Sequence, residues 1–93
     1  MLLYENYIPV FKALADGTRL KIITMLSGGE MCACKILEEF NITQPTLSYH
    51  MKILTESGLV VGIRNGAWMR YSLSEENIET FKTFITAITT PKV

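Results

Sequence analysis

The stretch from Thr43 to Leu73 carries the sharpest punctuation in the chain, and it constrains the fold more than any other feature. Thr43 is suited to cap a helix, Pro45 falls in the first turn where a missing N–H costs nothing, and Gly58 stands just past the end. A helix over Gln44 to Ser57 is predicted. Two runs of strand character follow, Leu59-Val60-Val61-Gly62-Ile63 and Met69-Arg70-Tyr71-Ser72-Leu73. They are joined through Asn65-Gly66, a dipeptide favoured in tight hairpin turns. The expected unit is a helix followed by a β-hairpin.

The flanking segments read as helices. Tyr7, Val10, Phe11 and Leu14 recur at helical spacing, giving a first helix at about residues 4–14. Asp16 then caps a second, in which Leu20, Ile23, Met25 and Leu26 alternate with Arg19 and Lys21, and Gly28-Gly29 ends it. A third runs from about Met31 to Phe40, with Ile36, Leu37 and Phe40 inward and Asn41 suited to a left-handed terminal residue. Ser74 caps a last helix, about residues 75–89, whose Glu75 and Glu76 favour the dipole and whose Ile78, Phe81, Ile85 and Ile88 are spaced 3, 4, 3.

The order is helix, helix, helix, helix, hairpin, helix (ααααββα), with short connections and no internal repeat. That is the layout of a winged helix-turn-helix, mainly α with a small β-hairpin. The helix-turn-helix falls at about residues 32–57 and the wing at about 59–73. A chain of 93 residues has room for one core, so residues 1–93 are expected to form a single DNA-binding domain. With 48% hydrophobic and 19% charged residues the composition is that of a globular protein, and no apolar stretch approaches the length of a membrane span. A cytoplasmic location without membrane association is expected.

Zero formal net charge argues against a nucleic-acid partner until its distribution is considered. Residues 43–71 hold Lys52, Arg64 and Arg70 against Glu56 alone, a local excess of two positive charges, while the segments before and after are each slightly acidic. On the predicted fourth helix Leu47, Met51 and Leu54 fall within about 60° of arc and form the buried stripe. The other side presents Pro45, Ser48, Tyr49 and Lys52, joined at the first turn by Thr43, Gln44 and Thr46. Gln pairs bidentately with adenine, and Ser and Thr bond bases or phosphates, so this face suits a recognition helix. Arg64, Asn65 and Arg70 in the wing are placed to lie along phosphate or an adjacent minor groove, and Trp68 shares the strand face of Arg70. His50 falls on the border between stripe and exposed face, where it serves either as a DNA-side residue or as a hydrogen-bonded boundary residue.

One His and one Asp assemble no catalytic triad, and no Gly-rich phosphate loop is present, so neither catalysis nor an organic cofactor is expected. Cys32 and Cys34 are the chemically distinctive pair. A disulfide between such near neighbours would be strained and close a negligible loop, so two reduced thiols are expected. Positions i and i+2 lie about 200° apart on a regular helix, so joint binding of one ion would require the first turn to distort. Thiolates at a helix N-terminus have lowered pKa values and select soft ions.

Four stretches of this chain resemble the ArsR/SmtB family of metal-sensing transcriptional repressors. They are Phe11-Lys12-Ala13-Leu14-Ala15-Asp16-Gly17-Thr18-Arg19; Glu30-Met31-Cys32-Ala33-Cys34; Thr43 through Leu54; and Glu56-Ser57-Gly58-Leu59-Val60, continued by Tyr71-Ser72-Leu73. The resemblance implies a homodimer built from the first and last helices, binding an imperfect inverted repeat of double-stranded operator DNA and leaving it when metal binds. Tyr7, Val10, Phe11, Ile78, Phe81, Ile85 and Ile88 are the candidate dimerisation residues. Within the family, Cys-x-Cys at this place is similar to the arsenic and antimony sensors, which implies As(III) or Sb(III) at Cys32 and Cys34 ahead of Cd(II), Pb(II) or Zn(II). Leu37 stands where the arsenic pattern has a third cysteine, and Lys35 follows the pair.

Three other readings compete. The cysteine pair could sense oxidants, the winged helix could dock a protein, or a cofactor-bearing enzyme could occupy the fold.

Overall fold

A computed structural model describes residues 4–92. A 3-10 turn over Tyr4–Tyr7 leads into α1 (Ile8–Leu14), followed by α2 (Gly17–Leu26), β1 (Met31–Cys32), α3 (Ala33–Glu38), α4 (Gln44–Glu56), β2 (Val60–Asn65), β3 (Trp68–Leu73) and α5 (Glu75–Thr89). Three side-chain caps sit where expected. Asp16 accepts from the Arg19 N–H, Thr43 from that of Thr46, and Ser74 from that of Asn77. Gly58, with φ +86°, turns the chain out of α4 in a conformation that a side chain would resist. Among the described residues no helix is long and apolar enough to cross a membrane.

The core draws on nearly every element: Val10 and Ala13 of α1, Ile22 and Leu26 of α2, Ile36 of α3, Leu47, Met51 and Leu54 of α4, and Val60 and Tyr71 of the sheet. The buried stripe of α4 is the one expected from its periodicity. Val10, expected at a subunit interface, is instead buried within a single chain's core.

The wing differs from expectation in three respects. It is a three-stranded antiparallel sheet of order β1-β3-β2 rather than a hairpin alone, because Met31 and Cys32 pair with Tyr71 and Arg70. The third helix is correspondingly shorter than Met31 to Phe40, since its first two residues are extended strand. Asn65 pairs with Trp68 in the last rung of the ladder, so the two-residue turn is Gly66-Ala67 and not Asn65-Gly66. Gly66 has φ +68° while Ala67 has none of the positive φ confined here to glycines, the pattern of a type II′ turn. No non-glycine residue has positive φ among the described residues, so Asn41 does not end α3 as a left-handed cap. The backbone N–H groups of Glu39 and Phe40 close that end on the carbonyls of Ile36 and Leu37.

Aromatic rings join the two ends of the chain. Phe84 of α5 is buried and stacks on Tyr7 with ring centroids 3.9 Å apart, while Phe81 meets Phe11 edge to face at 5.3 Å. Ile78, Phe81, Ile85 and Ile88 remain partly exposed, as does Tyr7, and Phe11 is exposed.

Candidate nucleic-acid interface and thiol corner

The outward face of α4 is polar and open. Thr43, Gln44, Pro45, Thr46, Ser48, Tyr49 and Lys52 are all exposed, Tyr49 to 61%, because Leu47, Met51 and Leu54 hold the opposite face in the core. Lys52 reaches Glu56 one turn on at 3.9 Å, a solvated pair. Between the first turn of α4 and the wing lies a cleft of about 120 Å³, lined in part by Gln44, Ser48, Arg64, Ala67 and Trp68. Arg64 and Asn65 are exposed, and Arg64 makes no ion pair among the described residues. Burial raises the Tyr71 phenol above its ordinary pKa, with the Arg64 charge acting the other way. Arg70 is not free: its Nε donates to Glu30 Oε1 at 2.6 Å across the β1–β3 junction.

His50 does not join the polar face. Its side chain is only 12% exposed and its Nδ1 lies 3.0 Å from Arg19 Nη1 and 3.9 Å from Asp16 Oδ2. Arg19 itself is 9% exposed, although the alternation of α2 placed it among the polar positions. Arg19 donates from Nε to the Ala13 carbonyl at 2.7 Å and from Nη2 to the Lys12 carbonyl at 3.3 Å, so its guanidinium satisfies the C-terminal end of α1. The hydrogen bond from the Arg19 N–H, aided by the Arg19 charge, holds the Asp16 carboxyl below its ordinary pKa against the opposing effect of desolvation.

The cysteines sit at the N-terminus of α3, on either side of Ala33, which also lines the cleft between α4 and the wing. Cys32 is extended, with φ −66° and ψ 141°, and caps α3, its Sγ accepting the Cys34 N–H at 3.2 Å. It therefore stands outside the helix, and the helical argument that parted the two sulfurs does not apply. The structure joins Cys32 to Cys34 in a disulfide with Cα atoms 5.2 Å apart, where two reduced thiols were expected. Among the described residues no group of three or more His, Cys, Asp or Glu is placed to hold a metal ion.

The family model for bacterial regulatory proteins of the arsR family matches residues 16–61, from the Asp16 cap into the first strand of the wing. The arsenical resistance operon repressor of Staphylococcus xylosus is 43% identical over 76 residues, covering 82% of this chain and 73% of the relative. The chain belongs to the ArsR family. Family members are transcriptional regulators that bind DNA through this winged helix-turn-helix, and this ArsR-family chain is a regulator of that kind rather than an enzyme. A crystal structure of an ArsR family transcriptional regulator superposes with TM-score 0.85 at 22% identity, covering 92% of this chain and 89% of that one, which establishes the fold. A homodimeric winged helix-turn-helix DNA-binding domain from Mycobacterium bovis, a possible ArsR-family regulator, superposes with TM-score 0.74 at 27% identity over 91% of this chain and 79% of that one.

Proposed function

We propose that the chain is a homodimeric repressor that holds operator DNA, an imperfect inverted repeat, and releases it when As(III) or Sb(III) binds Cys32 and Cys34. The observation that carries this reading is the placement of both sulfurs together at the α3 N-terminus, Cys32 on a strand paired with the wing and Cys34 in the first turn of the helix. The arsenical resistance repressor of S. xylosus supports the choice of inducer. Once an external dithiol has reduced the disulfide, becoming a disulfide itself, the two thiols condense with arsenous acid, forming two As–S bonds and releasing two waters, and the remaining arsenic-bound hydroxyl, or an external thiol that displaces it as a third water, completes the set. Cd(II), Pb(II) and Zn(II) rank lower, because several relatives are arsenical resistance repressors and a pair of soft thiolates suits a thiophilic centre.

The exposed faces of α4 and Arg64 would meet base edges and phosphate, with Asn65 beside them and Arg70 joining once it parts from Glu30. Tyr7 and Phe11 of the N-terminal segment, with Ile78, Phe81, Ile85 and Ile88 of α5, would form the subunit interface, since one chain leaves them partly exposed side by side.

The disulfide favours a second reading, in which an oxidant couples the two thiols and thereby weakens DNA binding. Fluorescence anisotropy of the reduced protein on its own upstream DNA, titrated in parallel with arsenite, cadmium, zinc and dilute peroxide, separates the two. Release by arsenite that is lost in Cys32→Ser establishes the metalloid reading. Release by peroxide alone establishes the oxidant reading, and indifference to all four removes both.

A further inference from the structure

We propose that His50 is a positioning residue for DNA recognition, acting through Arg19 to set the attitude of α4 against α1, rather than a residue that touches DNA. The argument begins with the cost of burying a guanidinium. Among the described residues Arg19 is the one charged side chain in the core, and its desolvation is offset by acceptors for its N–H groups, of which the fold supplies three. Two of them are carbonyls at the last turn of α1, Lys12 and Ala13. The third is His50 Nδ1, on the helix that carries the exposed polar face. Arg19 belongs to the first turn of α2, anchored there by Asp16. One side chain thus joins three helices.

The chemistry of the contact fixes its polarity. A guanidinium only donates, so Nδ1 must accept and the imidazole proton must sit on Nε2. Arg19 of α2 and Asp16, which caps that helix, lie within 4 Å of Nδ1, and the ring of Tyr49 meets the imidazole edge to face at 5.3 Å. Tyr49 is the most exposed of the large apolar side chains on α4, so the imidazole also backs a residue of the outward face. Without the acceptor at position 50, α4 keeps its apolar stripe but loses its polar tie to α1 and α2. Its tilt is then governed by apolar contacts, which are non-directional. Base readout suffers more from such a loss than phosphate binding, since base contacts need fixed geometry and phosphate contacts do not.

The inference rests on the assignment of α4 to DNA and is independent of the inducer. Its test compares wild type, His50→Leu and His50→Asn in the reduced full chain. Asn is chosen because its amide oxygen stands near the place of Nδ1 and accepts from Arg19. Affinity is measured for the gene's own upstream duplex and for an unrelated duplex of equal length at one salt concentration. His50→Leu should lose about tenfold on the upstream duplex and little on the unrelated one, with His50→Asn within about threefold of wild type on both. Equal upstream affinity of His50→Leu and wild type overturns the proposal, as does an equal loss in both variants. Wild type that fails to distinguish the duplexes overturns the assignment of α4 along with it. Should His50→Leu not fold, 15N spectra of the wild-type imidazole decide: an unprotonated Nδ1 that stays so on DNA supports the proposal, and a protonated Nδ1 overturns it.

Discussion

Helix α4 and the wing, although adjacent on one face, are held by different physics. Three fully buried side chains seat α4, Leu47, Met51 and Leu54, and a buried arginine ties it to two other helices. The wing meets the core chiefly through Val60 and Tyr71, while Val61 and Ile63 face solvent and a single exposed ion pair, Glu30 to Arg70, braces its far side. Buried apolar contacts and one directional polar tie set α4, and adjustable surface contacts set the wing. Under the proposed function, in which α4 presents side chains to bases and the protein also releases DNA, there is reason to keep the two apart in this way.

Substitutions can break that contrast. Leu54→Ala should produce the largest loss, about 2–5 kcal/mol of unfolding free energy in a urea titration, because the side chain is wholly buried and its neighbours close the cavity only in part. A loss below 1 kcal/mol would mean that α4 is seated no more firmly than the wing. Gly62→Ala comes next, about 1–3 kcal/mol by the same titration, since a Cβ there would fall 2.8 Å from Cε1 of its cross-strand partner Tyr71. Glu30→Gln should cost about 0–1 kcal/mol because both partners are well exposed. It should also tighten DNA binding and steepen its salt dependence by about one phosphate contact as Arg70 becomes available. An unchanged salt slope would show that Arg70 stays clear of the duplex.

How much of this was legible in the sequence follows the range of the interactions. The caps Asp16, Thr43 and Ser74 act within a few residues, and each was read correctly. The stripe of α4 repeats over three turns and was equally plain. Two-residue β1 has no period to read, and its partner is far along the chain, so Met31 and Cys32 passed for helix. The turn slipped by one residue because Asn-Gly is a strong local signal, whereas the register answers to the ladder from Val60 to Leu73. Phe84 escaped notice because it lies beside the apolar seam of α5 and is buried by Tyr7, at the other end of the chain. Arg19 stands among the polar positions in the alternation of α2, and only its three acceptors explain its burial. The site divides along the same line. The polar face of α4 was legible, and the inward turn of His50 and the capture of Arg70 by Glu30 were not.

The pairing of β1 with β3 has a consequence for biosynthesis. Glu30 and Arg70 are 40 residues apart, and the whole helix-turn-helix is threaded between them. Closing so long a loop is entropically costly unless α3 and α4 have already folded its interior. A nascent chain therefore cannot complete the corner that carries its two sulfurs until the wing has left the ribosome, and chemistry at those sulfurs before then meets a peptide without a sheet behind it.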